Sequence, residues 1–336
     1  MADKRVESMR EAGEKSLVVI RGVKDVPIAE AVRQCMELCN WAEWVKPDAA
    51  VVVKPNLCTA IPAEIESANT DRAVTEAVCQ VLLSRTKRIS IVEADHDRQT
   101  AWDAFRASGY VEMAQRLGVE LVNLSEVSAV RTRCEPLEGL DLPRMLLEAD
   151  AFITLPVLKT HALTYYTGVL KNQWGCVPYY KDRMIHHRLI EQLLGSLHRV
   201  LKPAFALMDG IVAMEGRGPS HGKPRRLDVI LASRDGVALD ASAMRLVGLD
   251  PSRCKHVVLA ARQGLGRMDT AAIEIDGDWE KHRVQFEPAP KDWLNWAAYH
   301  MCQYPWFVKY VMENNSIYYP VRALVQFLRR IGVVGG

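Results

Sequence analysis

The feature that most constrains this chain is an alternation. Short β-branched and apolar runs (Leu17–Ile20, Ala50–Val53, Ile89–Val92, Glu120–Asn123, Phe152–Leu155, Phe205–Met208 and Val229–Leu231) are separated by stretches that read as helices. The clearest helical stretches are Pro27–Trp44, Thr70–Leu83, Ile185–Val200 and Val237–Val247. Alternation of this kind predicts an α/β fold, a mainly parallel sheet flanked by helices. In the first helix, Ile28, Val32, Cys35 and Cys39 recur at the spacing of one face, so the two cysteines read as small buried apolar residues.

The strand ends are more informative than the strands. Val51–Val53 runs into Lys54-Pro55-Asn56, and Ile89–Val92 into Glu93-Ala94-Asp95-His96. Phe152–Leu155 leads to Lys159 and His161, Phe205–Met208 to Asp209, and Leu231 to Ser233-Arg234-Asp235. Open α/β sheets bind ligands at the carboxyl ends of their strands, so these handovers predict a shared cleft. Any strand must end on something polar, but that accounts poorly for every end carrying lysine or carboxylate.

One segment concentrates chemistry. Leu155 to His187 reads LPVLKTHALTYYTGVLKNQWGCVPYYKDRMIHH and holds Lys159, Lys171, His161, His186, His187 and Cys176. A segment that only filled a core would repeat apolar residues; this one spends its polar positions on groups that bind anions, move protons or ligate metal.

The motifs VVVKPN (51–56), TD (70–71), LPVLKTH (155–161), TGVLKNQWGCVP (167–178), the histidine pair, MDGIVAMEGRGP (208–219) and ASRDGVALDA (232–241) occur in an order that resembles the family catalogued as domain of unknown function 362. The resemblance spans roughly residues 50 to 275. It implies a shared fold and a site built from these motifs, while the chemistry of the family is largely unassigned. Many members also carry a ferredoxin-like segment with repeated C-x-x-C-x-x-C spacing, which this sequence lacks.

Three lysines in motifs, Lys54, Lys159 and Lys171, suit a clamp on phosphate or carboxylate. One of them, desolvated beside the others, could instead act as a base or Schiff-base nucleophile. His161 is expected to carry a proton near neutral pH, with Asp209 or Glu215 as partner. Lys159, His161, Lys171, Asp209 and Glu215 are thus assigned to chemistry, and Lys54, Asn56, Asp71, Asn172 and His187 to substrate binding. Asp71, after Thr70, also reads as a first-turn carboxylate, and capping is the economical role for at least one of Asp235 and Asp240. Of His186 and His187, one is expected to face the site. Glu215 is expected in a flexible glycine-rich loop, 214–224, which is no dinucleotide fingerprint because it does not lead from a strand into a helix.

The function expected is an enzyme of isomerase, lyase or cyclase type acting on a small anionic metabolite. The alternative is a metal or iron–sulfur redox protein using Cys58, Cys176, His161 and His186. No cofactor is demanded by the sequence, and no diagnostic metal spacing is present.

Composition sets the remaining bounds. The 336 residues are 49% hydrophobic and 25% charged, with a net charge of +2. Mixed signs throughout argue against a nucleic-acid partner. The polar start MADKRVESMREAGEKS and the scattered cysteines lead to an expected cytoplasmic location. The body is expected to span 1–285, with a subdomain boundary near 131–143. Residues 286–336 form an aromatic-rich α-helical C-terminal extension, suited to a homodimer contact or a membrane surface.

Overall fold

The computed structural model describes residues 15–96, 99–133, 136–290, 300–302 and 304–330. Its strands are β1 (Ser16–Gly22), β2 (Val51–Pro55), β3 (Ile89–Glu93), β4 (Glu120–Asn123), β5 (Ala129–Arg131), β6 (Asp141–Pro143), β7 (Ala151–Leu155), β8 (Val157–His161), β9 (Tyr165–Tyr166), β10 (Phe205–Glu215), β11 (Lys223–Ser233) and β12 (Ile273–Asp276). The main sheet runs β12-β1-β11-β10-β7-β2-β3-β4, with β8 joining through β10 and β9 through β8. Pairs from β10 through β7, β2 and β3 to β4 are parallel, whereas β11 is antiparallel to both β1 and β10. The fold is the expected α/β class.

Helices cover both faces, which is why the central strands are continuously apolar. The helices used below are α1 (Ile28–Leu38), α2 (Arg72–Leu83), α3 (Tyr110–Leu117), α4 (Val169–Asn172), α5 (Tyr180–His186), α6 (Ile190–Leu201), α7 (Gly236–Leu246), α8 (Lys255–Arg262) and α9 (Asn315–Arg330). Helices α1, α2 and α3 bury Val32, Cys35, Val78 and Met113 against one face of the sheet. Helices α6, α7 and α8 bury Leu193, Leu197, Leu239 and Val257 against the other. Cys35 and Cys39 lie in the first of these cores, and burial pushes both thiols up to about 12.

The structure corrects several local readings. The helix expected over Pro27–Trp44 breaks at Asn40, which takes a left-handed φ of 53°. The helix expected over Ile185–Val200 is two helices, α5 and α6, joined by a single 3₁₀ turn, His187–Leu189. Glu215 does not sit in a loop, because β10 and β11 extend toward each other and pair as far as Glu215 and Lys223. Because β11 runs antiparallel, Ser233 pairs with Ala206 at the start of β10, so Asp235 lies at the opposite end of the sheet from Asn56 and Glu93. The shared cleft therefore excludes the fifth strand end.

The stretch near 131–143 forms the β5–β6 hairpin and sends Leu137, Leu140 and Leu142 into a core cluster. In the C-terminal extension, Cys302, Met312 and Tyr318 pack against Met184 and Ile185 of α5. Trp293, Trp296 and Tyr299, part of the aromatic reading of the tail, lie outside the described residues.

Candidate functional site

Adjacent parallel strands place the first pair of motif residues side by side. Lys54, at the end of β2, is 1% exposed, and its Nζ lies 2.9 Å from both carboxylate oxygens of Glu93, at the end of β3. Nζ also donates to the Pro55 carbonyl at 3.0 Å. Glu93 in turn accepts from the backbone N–H groups of Leu57 and Ala94, each at 3.0 Å. A buried pair is tolerable only when its remaining hydrogen-bonding capacity is met in this way. Gly175 rests on the pair: a Cβ there would stand 3.0 Å from Lys54 Nζ and 3.1 Å from Glu93 Oε1. Lys54 is therefore neutralised within the fold and is not the free third member of a lysine clamp.

A chain of amides leads from this corner to the other lysines. Asn172 donates to the Thr154 hydroxyl at 2.9 Å and to the Lys54 carbonyl at 3.2 Å. Its Oδ1 accepts from Asn56 Nδ2 at 3.1 Å. Asn56 Oδ1 accepts from Lys159 Nζ at 3.0 Å, and the same ammonium donates to the Ala68 carbonyl at 2.7 Å and to Cys58 Sγ at 3.3 Å. Asn69 holds the Cys58 loop by accepting the N–H groups of Cys58 and Thr59 at 2.9 and 3.1 Å. KPN, LKTH and LKN thus meet in one network.

Helix α4, which carries Lys171 and Asn172, is anchored from a distance. Buried Asp240 of α7 accepts the N–H groups of Val169 and Leu170 at 2.7 and 3.1 Å. Gly168 is required at this approach: its φ is 143°, and a Cβ would meet Asp240 Oδ1 at 2.2 Å. Asp235 caps α7 itself, through the N–H groups of Val237 and Ala238. Both acids are caps, but of different helices.

Lys171 has no hydrogen bond or ion pair among the described residues and is half-buried. Desolvation first, then the positive charges of Arg183 and Lys159, lower its pKa to about 7. Arg183, 6% exposed, donates from Nη2 to the Asp95 carbonyl and lies over the Tyr180 ring.

His161 points its Nδ1 at the backbone, accepting from Leu163 N at 3.1 Å and Thr164 N at 3.3 Å. An acceptor Nδ1 puts the proton of the neutral ring on Nε2. Burial, followed by the charges of Lys171, His187 and Lys159, holds its pKa well below the usual value. The bonding and the burial both favour a neutral His161 ring with its N–H at Nε2. His187 is the member of the pair beside Lys171; burial and that lysine lower it to about 3, and its ring stands edge-on to Trp174 at 6.4 Å. His186 Nδ1 donates to the Asp182 carbonyl of its own helix at 2.9 Å.

The remaining expected site residues are held by backbone bonds or by burial. Asp209 accepts from Asp71 N at 2.7 Å and Ile211 N at 2.9 Å, and burial raises its pKa to about 7. Glu215 accepts from Glu287 N at 3.0 Å. Neither carboxyl is among the charges that bear on Lys171 or His161. Exposed Asp71 caps α2 through Ala73 N at 2.8 Å. Cys176 is fully buried among Val52, Val92 and Phe152, and burial pushes its thiol up to about 12. Among the described residues no three His, Cys, Asp or Glu side chains gather to hold a metal. Of the candidate ligands, Cys58 and His161 both lie near Lys159, whereas Cys176 is buried in the core and His186 bonds to its own helix.

Glu93 and Arg183 are the residues that the motifs left unassigned. Glu93 was visible as the charge at the end of the Ile89–Val92 run, and Arg183 lies one helical turn before His187.

A family model for the domain of unknown function DUF362 matches residues 51–245. A thylakoid-associated protein of Synechocystis sp. is 31% identical over 242 residues, covering 70% of this chain and 74% of that protein. Among solved structures, the chain is similar to the lactate racemase apoprotein of Thermoanaerobacterium thermosaccharolyticum, with a TM-score of 0.43 and 12% identity over 66% of this chain. A Thermotoga maritima protein matches with a TM-score of 0.38 and 13% identity over 70% of this chain. The chain spans 55% and 58% of these two structures' own chains, and at such scores neither bears on chemistry. The matched span contains the lysines, asparagines and capping aspartates of the network above, and the chain belongs to the DUF362 family.

Proposed function

We propose that the protein is an enzyme acting on a small anionic metabolite, with Lys171 as its proton-transfer base. The observation that carries this reading is that Lys159 and Lys171, close enough to bear on each other, have no carboxylate bonded to either among the described residues. Arg183 adds its charge at Lys171. Buried or half-buried cations without counter-charge are costly unless a ligand supplies it. A phosphate or carboxylate is the ligand that fits.

An amine that is half neutral near pH 7 can take a proton from carbon beside a carboxylate or carbonyl. The Nε2–H of His161 is the donor available to an oxyanion formed there, and Lys159, whose three N–H groups are taken by Asn56, Cys58 and Ala68, adds its charge. The same neutral amine can attack a carbonyl carbon to form a Schiff base, with loss of water. Isomerase or lyase chemistry on a hydroxy- or keto-acid, or on its phosphate ester, satisfies all of these groups.

The test is thermal melting at low ionic strength with inorganic phosphate and with small carboxylates. Binding to the folded form raises the melting temperature, and Lys171→Ala should abolish the rise while the unliganded protein still folds. An equal rise in Lys171→Ala and Lys159→Ala proteins would remove the anion site from these residues.

A further inference from the structure

Helices α6, α7 and α8 hide their apolar stripes against the sheet, whereas α9 does not. Tyr318 of α9 is buried with Met312 and Cys302 on α5. Yet Ile317, Val321 and Leu324, spaced at four and three residues on one stripe, are 40%, 45% and 56% exposed. Phe327 continues the stripe at 56% exposure, and Tyr319, Trp306 and Tyr310 are exposed elsewhere on the same segment. Soluble surfaces rarely leave so many large apolar and aromatic side chains of one segment in water.

Charge selects among occupants. From residue 300 onward the sequence places Lys309, Arg322, Arg329 and Arg330 against a single acid, Glu313, although the whole chain is nearly balanced at +2. A second copy docking by two-fold symmetry would bring this cationic segment against itself. A surface of anionic lipid meets both halves of the pattern, cations at the headgroups and aromatics at the boundary with the acyl chains. No helix of the described residues is long and apolar enough to cross a membrane, so the contact is a surface one.

We infer that the C-terminal segment, with α9 at its centre, docks the protein on an anionic lipid surface. The segment rests on α5: Lys181 donates to the Glu313 carbonyl at 2.9 Å and to Asn315 Oδ1 at 3.2 Å, and Met184 and Ile185 complete the seat. Arg183 of the same helix bears on Lys171. Lipid docking and the lysine cluster are thus joined through one short helix.

Co-sedimentation of the full-length protein with vesicles tests the docking. Phosphatidylglycerol–phosphatidylcholine vesicles should retain it at low salt, and pure phosphatidylcholine vesicles should retain at least ten-fold less. Because these residues are exposed, the Leu324→Glu/Phe327→Glu protein should keep its circular dichroism spectrum and lose retention ten-fold or more. The inference is overturned if the protein ignores anionic vesicles, or if the charged variant is retained as well as the parent. Light scattering that finds a dimer which the same variant dissolves would assign the face to a second copy, and would overturn it equally.

Discussion

Lys54 and Lys171 lie at the same end of the sheet and face opposite electrostatic surroundings. Lys54 is the more deeply buried, yet Glu93 and two backbone N–H groups complete a closed local circuit around it. Lys171 is less buried, but the strongest charges on it are those of Arg183 and Lys159, ahead of Cys58 and Glu191, and no carboxylate among the described residues bonds it. Burial alone did not distinguish them. The difference lies in whether the fold supplies the counter-charge or leaves it for a ligand.

The largest expected effect breaks the closed corner. Glu93→Gln leaves the Lys54 ammonium buried without its carboxylate, which should cost about 3–5 kcal/mol of stability. Replacing both, as Lys54→Met with Glu93→Gln, should restore most of that loss. Urea unfolding of the parent, single and double variants measures both. A single variant as stable as the parent would mean that the pair does not hold this end of the sheet together.

Next comes the support of the open corner. Asp240→Ala removes the acceptor of two α4 N–H groups and should cost about 1–2 kcal/mol, the scale of a lost cap. It should also weaken anion stabilisation at Lys171, because α4 carries that residue. Thermal melts with and without phosphate separate the two effects.

A smaller effect is pH-dependent. Burial raises the Asp240 carboxyl to about 8 and that of Asp209 to about 7, both from an ordinary 3.8. The native state then retains protons that the unfolded chain has released, so their contribution is full below about pH 4 and declines as pH rises toward 8. Asp240→Asn should flatten the decline in melting temperature between pH 5 and 8. The smallest expected change in stability is at Lys171 itself: Lys171→Met removes an unpaired cation and should stabilise the unliganded protein by about 1 kcal/mol or less.

Much of this contrast was legible in the sequence, though unevenly. The alternation of strands and helices gave the fold class, and the motif residues Asn56, Lys159 and Asn172 share one hydrogen-bond network. Roles were harder to read. Lys54 looked like Lys159 because pairing with Glu93 depends on which strands are neighbours, and β2 and β3 are joined only in space. Capping was expected of at least one of Asp235 and Asp240, but not that Asp240 would cap a helix about seventy residues earlier in the chain. His161 looked like an acid–base group until the Leu163 and Thr164 N–H groups fixed its tautomer. Asp235 was misplaced because a sequence does not say that β11 runs antiparallel. In each case a residue's type suggested its chemistry, and its partner decided it.

The most direct test of the anion site is the titration of Lys171. Its reactivity toward a trace acylating reagent can be followed from pH 5 to 11 by mass spectrometry of the Lys171 peptide, with and without inorganic phosphate. The expected half-reactivity lies near pH 7 without the anion, and phosphate should move it upward, since a bound anion favours the charged amine. A Lys171 that titrates near its ordinary value of 10.5, with phosphate making no difference, would contradict the account.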